Sequence, residues 1–229
     1  MGFLKQFFRT VFRDGTLPSV PGSFEDLRKS DLEKHLAISR YGNFELTDAI
    51  RPSFNLKVVP IEGFRFDIYR DEIENITVPV AMGAVSKDKL FDTFMDLLDP
   101  LGEIVDVILE SSHSNRRSGH LEHIRESIDL PVLKSILYDY EDFLMNDGCT
   151  GIAVLNPTIP QEVQFDEHKL LIVYGEDAGT AAQRIFGRHR VTRRDSMRFV
   201  TEAEHVHSTR QSYRQRYDEL RMRLAMDQY

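Results

Sequence analysis

Gly151-Ile152-Ala153-Val154-Leu155 and Leu170-Leu171-Ile172-Val173-Tyr174 are the two stretches whose reading decides the fold. Neither alternates polar and apolar residues. A strand that is apolar on both sides has to be covered on both sides, which places the pair in the middle of a sheet. Asn156-Pro157-Thr158-Ile159-Pro160 between them cannot continue a strand ladder, because proline has no N–H. The expectation is a core hairpin with a long, proline-bearing loop, opened by Gly148 and closed by Gly175.

Further strands are expected upstream. Glu103 to Glu110 is apolar on both faces and reads as another central strand, interrupted by Asp106. A buried carboxylate there needs a partner or a job, unless that face reaches water. Phe54 to Val59 and Phe64 to Tyr69 alternate, the mark of an antiparallel strand with one wet face. Asn75 to Val80 is a short third strand, and Pro79 suggests an edge. Helices are expected over Phe24–Ser39, Lys87–Leu98 with Ser86 as cap, Gly119–Ile128, the segment after Pro131, and Ala178–Phe186. Leu90, Phe91, Phe94, Leu97 and Leu98 form one apolar stripe, and Leu133, Ile136, Leu137, Tyr140 and Leu144 another. A last helix is expected from Thr201 to Ala225, with Val206, Arg210, Tyr213, Tyr217, Leu220 and Leu224 as its seam.

The two ends differ from this body. Phe3, Leu4, Phe7, Phe8, Val11 and Phe12 share one helical face, with Lys5, Arg9 and Arg13 on the other. Thr16 to Ser23 is a Pro/Gly/Ser linker. A short basic amphipathic helix on a linker can fold back on its own domain, dock on a partner or second copy, or lie on a membrane surface. The fold class is therefore α+β: a single core domain, residues 23–187, with a mixed, largely antiparallel sheet of about six strands covered by helices. Residues 1–22 add an amphipathic helix and linker, and 188–229 a basic loop and C-terminal helix.

Charge is uneven. The 229 residues carry a net −8, yet 184–223 holds 11 arginines against 5 acids, while 62–110 holds 12 acids against 4 bases. Either an anionic partner binds the basic end, or that end packs across the acidic body. One cysteine, Cys149, excludes an intrachain disulfide and fits a reducing compartment; with no spanning run and no secretory pattern, the expectation is cytoplasmic.

No motif assigns an activity. The chain lacks a P-loop, a G-x-G-x-x-G and a G-x-S-x-G elbow. His120 and His123 share a helical spacing near His113, and Glu202-x-x-His205 overlaps Glu204-x-x-His207, but on one helix these point in different directions. No metal or cofactor is expected. Cys149 reads as a core residue, and Asp166-Glu167-His168 as a polar turn. The leading expectation is a non-enzymatic interaction or adaptor protein acting through its terminal helices, with a protein partner or itself as a homodimer. The second is a small-anion binder or enzyme using Asp106, His113, Arg116 and Arg117 at a strand end. The third, nucleic-acid binding through the 184–223 arginines with Tyr213 and Tyr217 stacking on bases, is disfavoured by the acidic body.

Overall fold

A computed structural model describes residues 22–24, 27–71, 76–113, 121–156, 158–175 and 178–226. The amphipathic 3–12 segment and Arg116, Arg117 and His120 lie outside those residues.

Two peripheral strand pairs and helix α1 (Lys29–Leu36) open the described chain. Strand β1 (Arg40–Tyr41) pairs with β2 (Phe44–Glu45), and β3 (Ile50–Pro52) later receives a strand from the far end of the chain. The body follows: β4 (Gly63–Asp71), β5 (Ile76–Ala84), α2 (Lys87–Leu98), β6 (Ile104–Ser111), β7 (Leu121–Asp129), α3 (Leu130–Tyr138), α4 (Glu141–Asn146), β8 (Thr150–Asn156), β9 (Gln161–Phe165), β10 (Leu170–Tyr174) and α5 (Ala178–Arg188). Strand β11 (His205–His207) and α6 (Gln211–Arg223) complete it. Seven strands form one sheet in the order β4-β5-β10-β9-β8-β6-β7, and every neighbouring pair is antiparallel. The fold is α+β, and the sheet is larger and more uniform than the sequence suggests.

The two decisive runs are both central, but they do not pair with each other. Strand β9, which the sequence reading missed, lies between β8 and β10 and makes a three-strand meander. Residues 54–59 are irregular rather than a strand, with Phe54, Leu56 and Val59 exposed. Residues 121–129 are strand β7, not a helix. Their polar side chains belong to an outer strand with one wet side, so alternation there carries little apolar signal. Strand β5 is internal, between β4 and β10. Pro79 is tolerated because its carbonyl accepts from Gly175 N–H (3.1 Å), so its missing donor faces the end of β10 rather than β4. Ser86 stands at the start of α2 but does not cap it with its side chain; its Oγ accepts from Glu45 N–H (3.1 Å).

Helices α2 to α6 all cover one side of the sheet. Phe94, Leu98, Leu133, Leu137, Phe143, Ala182 and Leu220 pack there against Val105, Leu109, Val154, Val163 and Leu171. Each large apolar side chain so buried contributes about 1.5–3 kcal/mol. Tyr213, Tyr217, Leu220 and Leu224 join this core, so the C-terminal helix packs on its own domain. Its tyrosines are 4% exposed and cannot stack on bases from the surface. The neighbouring arginines meet carboxylates: Arg210 with Asp48, Arg188 with Asp96 and Arg198 with Glu202. Among the described residues no helix is long and apolar enough to cross a membrane.

Candidate metal centre

Four central strands end at one corner of the sheet: the C-terminal ends of β6 and β9 and the N-terminal ends of β8 and β10. The polar groups gathered there come from three loops and one added strand. The β9–β10 turn is fixed by Asp166, whose Oδ1 accepts from Leu170 N–H at 2.7 Å. The same carboxylate uses Oδ2 to accept from His168 Nδ1 at 2.8 Å.

The added strand is β11. It pairs antiparallel with β3, placing His205 opposite Pro52 and His207 opposite Ile50. Two residues apart on a strand, these histidines point the same way. The expectation of one helix from Thr201 onward is therefore overturned: Val200–Glu202 is a single 3-10 turn, His205–His207 is extended, and α6 begins only at Gln211. Gly148 makes the close approach possible. A Cβ there would lie 2.4 Å from the Ala49 carbonyl oxygen and 2.9 Å from that of Ser208. Without one, Gly148 N–H bonds Ser208 (2.8 Å) and the Gly148 carbonyl accepts from His207 Nδ1 (2.6 Å).

His168, His205 and His207 now face one another, with ring centroids 4.8–5.0 Å apart. Their nearest ligand atoms all fall within 4.8 Å. Each Nδ1 meets an atom that can only accept: the Asp166 carboxylate, the Ala203 carbonyl (2.8 Å) and the Gly148 carbonyl. Nδ1 must therefore carry the proton in all three rings, which leaves the lone pair of each neutral ring on Nε2. His205 Nε2 and His207 Nε2 lie 3.1 Å apart. Two lone pairs at that distance repel unless a cation sits between them. Tetrahedral zinc, with Zn–N of about 2.0–2.1 Å, sets its nitrogens about 3.3–3.4 Å apart. An outer partner on every ligating histidine is likewise how metal sites orient their rings.

Burial lowers the pKa of His205 and of His207, and the nearby charge of His168 lowers both further. For His168, burial alone would act the same way, but the charge and hydrogen bond of Asp166 outweigh it and raise the imidazole. All three histidines are partly exposed.

A second group adjoins the first. His113 Nε2 lies 2.7 Å from Asp147 Oδ2, which also accepts from Thr150 Oγ1 at 2.6 Å. Burial would raise Asp147, but these hydrogen bonds hold it below the ordinary carboxylate range. Burial pushes the Cys149 thiol up, away from the reactive thiolate. Lys169 is buried with Nζ on the Thr150 carbonyl (2.9 Å), and desolvation brings it down to about 8. His168 and Lys169 also line a cleft with Phe44, Ile50, Ala84 and Phe199.

Of the residues singled out in the sequence, His113 reaches this corner and Asp106 does not. Seven residues of extended chain separate them, roughly 20 Å. Asp106 instead accepts from Ser127 N–H (2.8 Å) where β7 bulges against β6, which is the job its half-buried carboxylate performs. His123, expected beside His120 on a helix, lies in β7 with Nδ1 on the Tyr217 hydroxyl (2.9 Å). What sequence reasoning missed is His168 with His205 and His207. The available signal was His-x-His, which on a strand puts two imidazoles on one side. The fold and site together define an α+β protein with a three-histidine corner. Comparisons with protein-family models, curated proteins and solved structures found no match to this chain.

Proposed function

We propose that the protein binds a divalent transition-metal ion of the zinc class through His168, His205 and His207, and is a metal-dependent enzyme of hydrolytic type. One observation carries this reading: His168, His205 and His207 offer ligand atoms within 4.8 Å of one another while every Nδ1 is tied to an acceptor. Three histidines with an open fourth position are the ligand set of catalytic rather than structural zinc. A metal so held supplies an acidified water near neutral pH. Glu167 adjoins His168 in the β9–β10 turn, its Oε2 accepting from Ser112 Oγ (3.5 Å), and is the carboxylate assigned to take that water's proton. Titration of metal-stripped protein with Zn²⁺ tests the centre. One equivalent should bind, and His168→Ala and His205→Ala should each weaken binding at least about a hundredfold. Equal binding by wild type and both variants removes the centre. Turnover of a panel of activated esters and phosphoesters, lost on chelation and restored by metal, tests the hydrolytic part.

An interaction role is the second reading. It rests on Phe54, Leu56, Val59 and Ile61, 38–52% exposed along one loop between β3 and β4. A protein partner or a second copy is the occupant such a loop suits.

A further inference from the structure

The side of the sheet away from the helices carries a cluster of its own. Ile108, Ala153 and Leu155, with half-buried Ile124 against them, come only from β6, β7 and β8. The first three are 2%, 1% and 7% exposed, although among the described residues their cluster includes no side chain from outside the sheet. Beside them in register are Glu162, opposite Leu155, and Gln164, opposite Ala153. Glu162 is fully buried. Gln164 Nε2 donates to its Oε1 (2.8 Å), but among the described residues Glu162 Oε2 and Gln164 Oε1 have no hydrogen-bond partner. Asp106, Glu110 and Glu122 share this side of β6 and β7. Apolar side chains and buried carboxylates of this kind need a cover with an apolar face and a cationic edge.

We propose that residues 3–12 of the same chain are that cover, lying as an amphipathic helix across β6, β8 and β9. The Phe3, Leu4, Phe7, Phe8, Val11 and Phe12 face meets Ile108, Ala153 and Leu155, and Lys5, Arg9 and Arg13 border the acids. The dimensions agree: ten helical residues span about 15 Å, and three strands at about 4.8 Å spacing are of similar width. The tether reaches. Ser23 is held at the same end of the molecule as the histidine corner, its N–H on Glu204 Oε2 (2.7 Å) and its Oγ accepting from Phe54 N–H (3.0 Å). The ten residues 13–22 extend up to about 33 Å, against about 17 Å from Thr150 to Leu155 along β8. Tethering gives the segment a local concentration in the millimolar range, which a separate partner or second copy has to exceed. An anionic membrane is the poorer match, since the strip itself is acidic.

The test uses the full chain. A nitroxide is attached at Gln6→Cys in a Cys149→Ser background, and methyl NMR signals are followed. Ile108, Ala153 and Leu155 should lose intensity, Leu133 and Leu137 on the helix-covered side should keep theirs, and Phe7→Asp with Phe8→Asp should abolish the loss. Full intensity at all three methyls overturns the assignment. So does loss seen only between labelled and unlabelled copies, which makes the occupant a second chain, or only after adding vesicles, which makes it a membrane.

Discussion

The two sides of one seven-stranded sheet are built from different materials. On the helix-covered side, Val105, Leu109, Val154, Val163 and Leu171 share one apolar cluster with side chains from α2 to α6. On the other side, the same strands present Glu110, Glu162 and Gln164, and their ends open onto Asp166, Lys169 and the three histidines. Alternation along a strand makes this division possible, because one residue's neighbours face the opposite way. The polar groups are confined to part of the other side, since on β5 and β10 it buries Val80, Leu170 and Ile172 under Phe44, Met197 and Phe199; apolar packing on both flanks secures the fold and lets β6, β8 and β9 hold groups that cost free energy to bury.

The largest expected effect breaks the comparison on its apolar side. Phe94 is fully buried against Phe165, with ring centroids 5.1 Å apart. Phe94→Ala should lower unfolding free energy by about 3–5 kcal/mol in urea denaturation, while the folded fraction keeps its zinc affinity. A loss of both would mean that the two sides are not separable.

Next in size is a pH effect on the polar side. Burial, then the charges of Glu122, Glu167 and Asp166, push Glu110 up from 4.5 to about 8. Between those values the folded chain holds a proton that the unfolded chain has released, so stability falls as pH rises through that window. Glu110→Gln should remove the decline, gaining about 2–4 kcal/mol on wild type between pH 5 and pH 9 by denaturant midpoint. Parallel pH profiles would show that Glu110 is ordinary.

The smallest effect sharpens the comparison at the corner itself. Asp166→Asn keeps an oxygen for Leu170 N–H but turns a donor toward His168 Nδ1. Zinc affinity should fall about 10- to 100-fold with little change in stability. Unchanged affinity would mean that Asp166 serves the turn alone.

Much of the helix-covered side was legible in the sequence, because continuous apolar runs and 3.6-residue stripes leave strong patterns. β8, β10, β6 and the α2 stripe fall where those patterns put them. The polar side was not. Gln161-Glu162-Val163-Gln164-Phe165 reads as a loop, since its inward residues are themselves polar, so β9 was missed and a meander looked like a hairpin. Residues 201–225 looked like one helix, because Tyr213 to Leu224 set a helical period that extends backwards by arithmetic through Val206. That reading turned His205 and His207 apart when the strand turns them together. His168 stands 37 residues earlier, in a turn no local pattern links to them. Only the β3–β11 pairing and the close approach at Gly148 bring the three to one point.

The most direct test of the centre is X-ray absorption at the zinc edge of the full chain carrying one equivalent of Zn²⁺. The arrangement of His168, His205 and His207 predicts three imidazole nitrogens at about 2.0–2.1 Å with oxygen completing the shell. A sulfur neighbour at about 2.3 Å, which would place the ion on Cys149, or a shell of oxygens alone, would contradict it.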